Sequence, residues 1–174
     1  VIIASGAMER PVPLEGWTLP GVMTAGAAQI LMKNEGLVAQ DAVLVGSGPL
    51  LYLAATQLIA AGAPPKALVE TQTRAGLRNA LPHIWGALRD WRQLAKGLRF
   101  LAALKLARVP RYVAATDIGI EGDGAAQAVR FHARGKSQRI EADLVLLHQG
   151  VVPNTQISRA LGLEHRFDEV QRCF

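Results

Sequence analysis

The stretch from residue 42 to residue 70 constrains the fold more than any other part of the chain. A β-rich apolar run, Ala42–Val45, leads into Gly46-Ser47-Gly48, and Pro49 then opens a helical stretch that ends at Gly62. A second short apolar run follows at Lys66–Glu70. Glycine-bounded apolar runs predict strands, and proline is favoured in the first turn of a helix. Because a strand, a helix and a second strand in this order form a right-handed βαβ crossover, the sequence predicts an α/β fold around a parallel sheet.

The patterns on either side of this unit predict further helices and strands. Thr24 and Gly36 are suited to be the N-cap and the stop of a helix over Thr24–Asn34. Apolar side chains recur at steps of three and four over 88–102, which predicts an amphipathic helix that ends before Pro110. Glycine turns then separate three runs that favour an antiparallel β-meander. The remaining predicted elements are a short buried strand at Val1–Ala4 and the meander strands Tyr112–Glu121, Ala126–Arg134 and Gln138–His148.

Composition narrows the class of protein. Half of the 174 residues are hydrophobic, so a packed core is expected. The single cysteine, Cys173, excludes an internal disulfide and a multi-cysteine zinc site, and no sequence motif indicates a metal site or a catalytic nucleophile. No apolar run is long enough to predict a membrane span, and the first residues do not have the pattern of a signal peptide. We therefore expect a cytoplasmic protein without a membrane span.

The glycine turn after the first strand of the βαβ unit is a candidate anion site. Glycines there allow a tight turn and let a pyrophosphate approach the free amides at the start of the helix. Leu51 stands where the usual dinucleotide motif has its third glycine, so the pattern is incomplete. Two interpretations follow: a pyrophosphate site, or a turn that shapes the βα connection and binds nothing. The candidate cofactor-binding residues of this turn are Gly46, Ser47, Gly48, Pro49 and Leu50.

Glu70 ends the second strand of the unit and is a candidate for recognising a ribose. An acidic side chain at this place accepts hydrogen bonds from the adenine ribose, which favours NAD over the 2′-phosphate of NADP. Arg74 lies four residues further on and keeps NADP possible. The alternative is that Glu70 is a solvated glutamate at the end of a strand. The sequence thus indicates NAD(P) as a possible cofactor, with NAD favoured.

Gly150 follows the last predicted strand and is the other glycine at a sheet edge where α/β folds bind ligands. His148, two residues earlier, could face a cofactor there. No partner carboxylate is identifiable from the sequence, and a histidine at a strand end is more often a packed or surface residue. We therefore add Gly150, but not His148, to the candidate cofactor-binding residues.

The net charge of +5 raises the question of an anionic partner. Arginine and lysine side chains from Arg89 to Arg99 follow helical steps and form one basic face of the predicted amphipathic helix. A basic stripe without an aromatic stacking platform is more often solvated or subunit-facing than bound to phosphates. We therefore predict no nucleic-acid partner, and keep contact with another subunit as the alternative use of this face.

Several segments carry a family likeness. Ala4-Ser5-Gly6, the glycine-turn βαβ unit, Asp143-Leu144-Val145 and the run from Gly150 to Asn154 together resemble the two-dinucleotide-binding-domain flavoproteins. This is the pyridine nucleotide-disulfide oxidoreductase type, which includes thioredoxin reductase. A narrower resemblance is to the FAD-binding subunits of opine oxidase and hydrogen cyanide synthase. It is carried by Gly6–Pro13, Gly16–Gln29, Gln149–Asn154 and Gln171–Phe174.

The resemblance implies a Rossmann-like FAD/NAD(P)-binding fold in which a nicotinamide-nucleotide domain is inserted into an FAD domain. On this basis residues 24–153 form the inserted NAD(P)-binding-type domain. Residues 1–23 form a severed FAD-domain strand and connector, and residues 154–174 form an incomplete crossover back to the FAD domain. Ala4 and Gly6 are then added to the candidate cofactor-binding residues on the FAD side.

The same resemblance implies an activity for the parent protein. It is a flavin-dependent oxidoreductase of the amino acid, opine or amine dehydrogenase-oxidase type, with a small amine or amino-acid-type substrate and a partner oxidoreductase subunit. The fragment alone is expected to be inactive, and no residue in it is assigned a catalytic role. The alternative is a non-binding scaffold domain that docks the partner subunit.

Overall fold

The computed structural model describes residues 2–72 and 91–174, so Val1, Arg74, Leu88 and Arg89 lie outside the described residues. In chain order the strands are β1 (Ala7–Glu9), β2 (Val22–Thr24), β3 (Val43–Ser47), β4 (Ala67–Glu70), β5 (Arg111–Val113), β6 (Thr116–Glu121), β7 (Ala128–Ala133), β8 (Lys136–Glu141), β9 (Val145–Gln149) and β10 (Val151–Pro153). The helices are α1 (Ala25–Glu35), α2 (Pro49–Ala60), α3 (Trp91–Leu106) and α4 (Gln156–Ala160).

The central sheet has five strands in the order β2-β9-β3-β4-β5, and every neighbouring pair is parallel. The predicted α/β fold and its βαβ unit are confirmed, because β3 and β4 pair in parallel and α2 connects them. All five strands end at the same edge of the sheet. The glycine turn, Glu70 and His148 therefore lie along one edge, where open parallel sheets bind ligands.

Each face of the central sheet has its own apolar core. On β3 the side chains alternate, with Leu44 packed in one core and Val43 and Val45 in the other, as the two-residue period of a strand requires. The first core lies against the helices and includes Leu51 and Leu104. The second core lies against an antiparallel three-stranded sheet, β6-β7-β8. The predicted β-meander is thus present and covers one face of the parallel sheet.

The predicted caps of the first helix are confirmed. The Thr24 side chain accepts a hydrogen bond from the Ala27 amide at 3.2 Å, and Gly36 adopts the left-handed conformation at the other end. Both devices are local, since each satisfies backbone groups that the helix leaves unpaired at its ends. This is why the sequence alone sufficed to place α1 within one residue of its observed bounds.

The predicted strand at Val1–Ala4 is wrong for the residues that the structure describes. Ile2 is 95% exposed, and Ile2–Ala4 contain no strand. An apolar run forms a strand only where a neighbouring strand supplies hydrogen bonds, and the pairing here begins later, where β1 runs antiparallel to β10.

Two of the three predicted meander strands are each two strands in different sheets. Tyr112–Glu121 divides into β5 of the parallel sheet and β6 of the meander, and Ala114 between them has a φ of 58°. Gln138–His148 likewise divides into β8 and the central β9. A left-handed residue or a bend turns the chain from one sheet to the other, and a run of strand-forming residues does not reveal it.

Within residues 2–72 and 91–174, no helix combines the length and the apolar character that crossing a membrane requires.

Candidate functional site

The turn between β3 and α2 requires both of its glycines. Gly46 has a φ of 140° and Gly48 a φ of 100°, conformations that residues with a Cβ rarely adopt. A Cβ on Gly46 would also overlap the backbone carbonyl oxygen of His148 on the neighbouring strand β9. The turn thus brings the start of α2 close to the sheet edge, as a pyrophosphate site needs.

The first turn of α2 offers amides for an anion. Gly48 is the N-cap and supplies no capping side chain, and Pro49 has no N–H. The Leu51 amide donates to the Gly48 carbonyl oxygen at 3.2 Å. Among the described residues, no acceptor pairs with the amides of Gly48 and Leu50. These two donors at the positive end of the helix are the anion-binding element of the site.

Ser47 does not reach the helix start with its hydroxyl. Its Oγ donates to Oε1 of Gln149 at 2.7 Å, and Nε2 of Gln149 donates to Oγ1 of Thr71 at 2.9 Å. The three side chains come from the ends of β3, β9 and β4 and connect them across the sheet edge. Ser47 therefore supports the turn from below, and its backbone is the part available to a ligand.

Leu51, at the third glycine position of the motif, is fully buried in the core between the helices and the parallel sheet. The third glycine of a dinucleotide motif serves helix–strand packing and does not contact phosphate. Leu51 changes that packing layer and leaves the turn itself open.

An apolar cleft of about 900 Å³ extends from the turn between α2 and α3, over the ends of β4 and β5. Gly48, Pro49, Leu50 and Glu70 of the predicted site all line it. The volume is within the usual range for a pocket that holds a cofactor-sized ligand. The other lining residues are Tyr52, Leu53, Gln72, Gln93, Lys96, Gly97, Phe100, Leu101, Arg111 and Val113.

Glu70 is 4% exposed and is not the solvated strand-end glutamate of the alternative interpretation. Arg111 Nε donates to its Oε1 at 2.8 Å, and Arg111 Nη2 donates to its Oε2 at 3.2 Å. The Tyr52 hydroxyl donates to the same Oε2 at 2.6 Å. Burial raises the pKa of Tyr52 to about 12, and the hydrogen bond to Glu70 acts in the same direction, so the phenol stays a donor at physiological pH.

Sequence reasoning missed Tyr52 and Arg111. The available signal for Arg111 was its position directly after Pro110, at the start of a run of strand-forming residues. Arg111 reaches Glu70 because β5 pairs with β4 in parallel, which places Val113 opposite Glu70. The prediction that this run belonged to the meander concealed the contact.

His148 has the carboxylate partner that the sequence did not reveal. Its Nδ1 lies 2.6 Å from Oε1 of Glu9, and the histidine is 3% exposed. The other oxygen of Glu9 accepts a hydrogen bond from the Gly26 amide in the first turn of α1 at 2.8 Å. The pair joins β1 to β9 and α1, beneath the glycine turn.

The candidate residues on the FAD side lie around the two-stranded sheet β1-β10. The Arg10 amide donates to the Gly150 carbonyl oxygen at 2.9 Å, and the Asn154 amide donates to that of Gly6 at 2.9 Å. Ala4 is exposed in the segment before β1. Gly6 and Gly150 have φ values of 71° and 86°, so both turns use glycine's conformational freedom. Gly150 lies directly after Gln149, next to the glycine turn, whereas Ala4 and Gly6 do not line the cleft.

A parallel sheet with a glycine turn at its edge and a β-meander on one face defines the class: the fold is that of the Rossmann-like FAD/NAD(P) oxidoreductases. The thioredoxin reductase of T. acidophilum has this fold, with a TM-score of 0.58 over 94% of this chain and 47% of that chain, at 16% sequence identity.

The chain is homologous over its length to subunits of two bacterial enzymes. It is 42% identical to one of the subunits of the opine oxidase of Rhizobium meliloti (strain 1021), over 177 residues that cover 100% of this chain and 39% of the relative. It is 35% identical to the HcnB subunit of hydrogen cyanide synthase of Pseudomonas aeruginosa, over 181 residues that cover 97% of this chain and 38% of the relative. The predicted resemblance is confirmed.

The chain therefore spans about two fifths of the length of these curated relatives. In a comparison with models of protein families, none matched the chain.

Proposed function

We propose that this chain is the pyridine-nucleotide-type part of a flavin-dependent oxidoreductase subunit. The observation that carries the proposal is the glycine turn, whose two unpaired amides lie at one end of a cleft that has Glu70 in its wall. The homology to subunits of an oxidase and of a synthase supports an oxidoreductase parent that works with a partner subunit. The same proposal includes a small amine or amino-acid-type substrate and a cytoplasmic location.

The residues of the site fit a pyridine nucleotide. The amides of Gly48 and Leu50 suit a pyrophosphate, and the apolar walls of the cleft suit an adenosine. Glu70 at the end of β4 is placed to accept a hydrogen bond from the ribose, which favours NAD over NADP. When bound, such a nucleotide exchanges a hydride with a second redox group. The part of this chain is to bind and orient it.

The division of the chain follows the same proposal. Residues 24–153 form the nucleotide-binding-type domain, while residues 1–23 and 154–174 belong to an FAD domain. Ala4, Gly6 and Gly150 would then lie on the FAD side, where the flavin of the parent enzyme takes the hydride from the substrate. The pairing of β1 with β10 outside the parallel sheet supports this division.

Leu50→Glu is expected to weaken NADH binding by about tenfold or more. The new carboxylate stands at the anion-binding turn, where it repels the pyrophosphate and competes for the amides. The measurement is the dissociation constant for NADH, from fluorescence titration of the wild type and the variant.

The matched control is Ala60→Glu, which adds the same charge at the other, exposed end of α2. Its affinity for NADH should stay within about twofold of the wild type, since the charge is more than a Debye length from the turn. Equal losses in the two variants would contradict binding at the turn.

A second candidate function, docking of a partner subunit, is favoured by the surface of α3. Its side chains Trp91, Leu94, Leu98 and Leu101 are exposed at steps of three and four, so they form one apolar stripe. The helix has four basic residues and no acidic residue over Trp91–Leu106. An apolar stripe within basic residues fits a partner surface that is apolar with an acidic rim.

Leu98→Asp is expected to lower the recovery of the partner subunit by about tenfold or more when the two subunits are co-expressed and purified together. Leu98 is 67% exposed, so the fold should tolerate the change. Leu37→Asp, at a leucine that is 61% exposed in the segment after α1, is the matched control and should leave assembly unchanged. Full recovery with both variants would remove α3 as the docking surface.

A further inference from the structure

Glu70 and Arg111 form one unit. Two nitrogens of the guanidinium contact two oxygens of the carboxylate, at 2.8 Å and 3.2 Å, in the two-pronged geometry that makes such pairs directional. The two residues sit on adjacent parallel strands, so the sheet itself fixes their spacing. At the ribose-recognising position the cleft therefore has a charge-balanced pair instead of a lone carboxylate.

The pair has limited hydrogen-bonding capacity left for a ligand. Oε2 of Glu70 already accepts from Tyr52 and from Arg111, whereas Oε1 accepts from Arg111 alone. One lone pair of Oε1 thus stays available. On the other side, no acceptor among the described residues pairs with Nη1 of Arg111, whose side chain is 33% exposed against 5% for Glu70. The more accessible partner of the pair is the cation.

Lys96 adds a second positive charge to the cleft. Among the charged residues that line it, Glu70 is negative and Arg111 and Lys96 are positive. The Lys96 ammonium lies 5.8 Å from the ring of Phe100, on the α3 side of the cleft. The charge of Glu70 is therefore balanced, and the cleft has a net positive charge.

We propose that Arg111 is a specificity-determining residue that, by balancing the charge of Glu70, narrows the preference of the cleft for NAD(H) over NADP(H). A lone carboxylate at this position would accept the ribose hydroxyl and repel a 2′-phosphate. The guanidinium cancels most of that repulsion and offers Nη1 to the phosphate. The inference rests on the proposed function, since it concerns the nucleotide of the same site.

The test compares the dissociation constants for NADH and NADPH in the wild type and in two single variants. Arg111→Met releases the carboxylate from its partner, so the ratio of the NADPH constant to the NADH constant should rise about tenfold. Glu70→Gln keeps a hydrogen-bonding side chain and frees the guanidinium, so the ratio should fall about tenfold. Opposite shifts are the result expected, because a merely structural pair would weaken both nucleotides alike.

Arg139→Met is the control, since Arg139 pairs with Glu121 on the meander at 2.9 Å, outside the cleft. It should leave the ratio unchanged. Where a single variant fails to fold, the double variant Arg111→Met with Glu70→Gln removes both charges together. Its ratio should lie between those expected for the two single variants.

The outcomes separate the two claims. A ratio that stays constant in the cleft variants, or that shifts equally in Arg139→Met, overturns the role of Arg111 and leaves nucleotide binding intact. Failure of the wild type to bind either nucleotide overturns the proposed function, and this inference with it.

Discussion

Replacing Gly46 by alanine is expected to lower the free energy of unfolding by about 3 kcal/mol or more. Two causes act together at this position. The backbone has a φ of 140°, which residues with a Cβ rarely adopt, and the added methyl would overlap the His148 carbonyl oxygen on the adjacent strand. Relief of that overlap requires β3 and β9 to separate at the centre of the sheet. Urea denaturation of the wild type and the variant measures the loss.

Gly97→Ala is the matched control for this change. Gly97 lies within α3, a Cβ there would meet no atom within 4 Å, and its φ is not positive. Alanine should stabilise the helix at this site by up to about 1 kcal/mol. A Gly46→Ala protein as stable as the wild type would mean that the turn does not have the described conformation.

Leu51→Ala is expected to lower the free energy of unfolding by about 2 to 5 kcal/mol. The side chain is fully buried between α2 and the parallel sheet, so its removal loses apolar burial and leaves a cavity. NADH affinity, by contrast, should stay within about threefold of the wild type wherever the protein is folded, because the amides of Gly48 and Leu50 are unchanged. Denaturation and fluorescence titration of the same preparation measure the two quantities separately.

The neighbouring leucine provides the control. Leu50 lines the cleft and is partly exposed, so Leu50→Ala should lower stability by about 1 kcal/mol or less. A small stability loss for Leu51→Ala, together with a clear gain in NADH affinity, would mean that Leu51 obstructs the site. The distinction matters because Leu51 is the residue by which the turn departs from the usual glycine motif.

The parts of the fold that depend on local signals could be predicted from the sequence. The βαβ unit follows from two apolar runs around a glycine turn, and the ends of α1 follow from Thr24 and Gly36. Each of these signals acts within a few residues of the structure that it determines. The homology to the opine oxidase and hydrogen cyanide synthase subunits agrees with the same turn and strand pattern.

The parts that depend on how distant segments meet could not be predicted. The run from Tyr112 to Glu121 has the composition of one strand, and a single left-handed residue, Ala114, divides it between two sheets. Because β5 was assigned to the meander, the partner of Glu70 was hidden.

The contact of His148 with Glu9 joins residues 139 positions apart, on β9 and β1. Periodicity along the chain has no information about such a contact. The polar contacts around Glu70 have the same character, since Tyr52 and Arg111 reach it from α2 and β5. The sequence therefore located the candidate site but not the side chains that determine its charge.

The central claim is that a pyridine nucleotide binds at the glycine turn, and backbone amide chemical shifts during titration with NADH test it most directly. We predict saturable shifts, by about 1 mM ligand, at Gly46, Ser47, Gly48 and Leu50 and at Glu70 at the other end of the contact. The amides of β7 in the meander should not move. The absence of any saturable shift in the turn at this concentration, or shifts confined to the exposed stripe of α3, would contradict the claim.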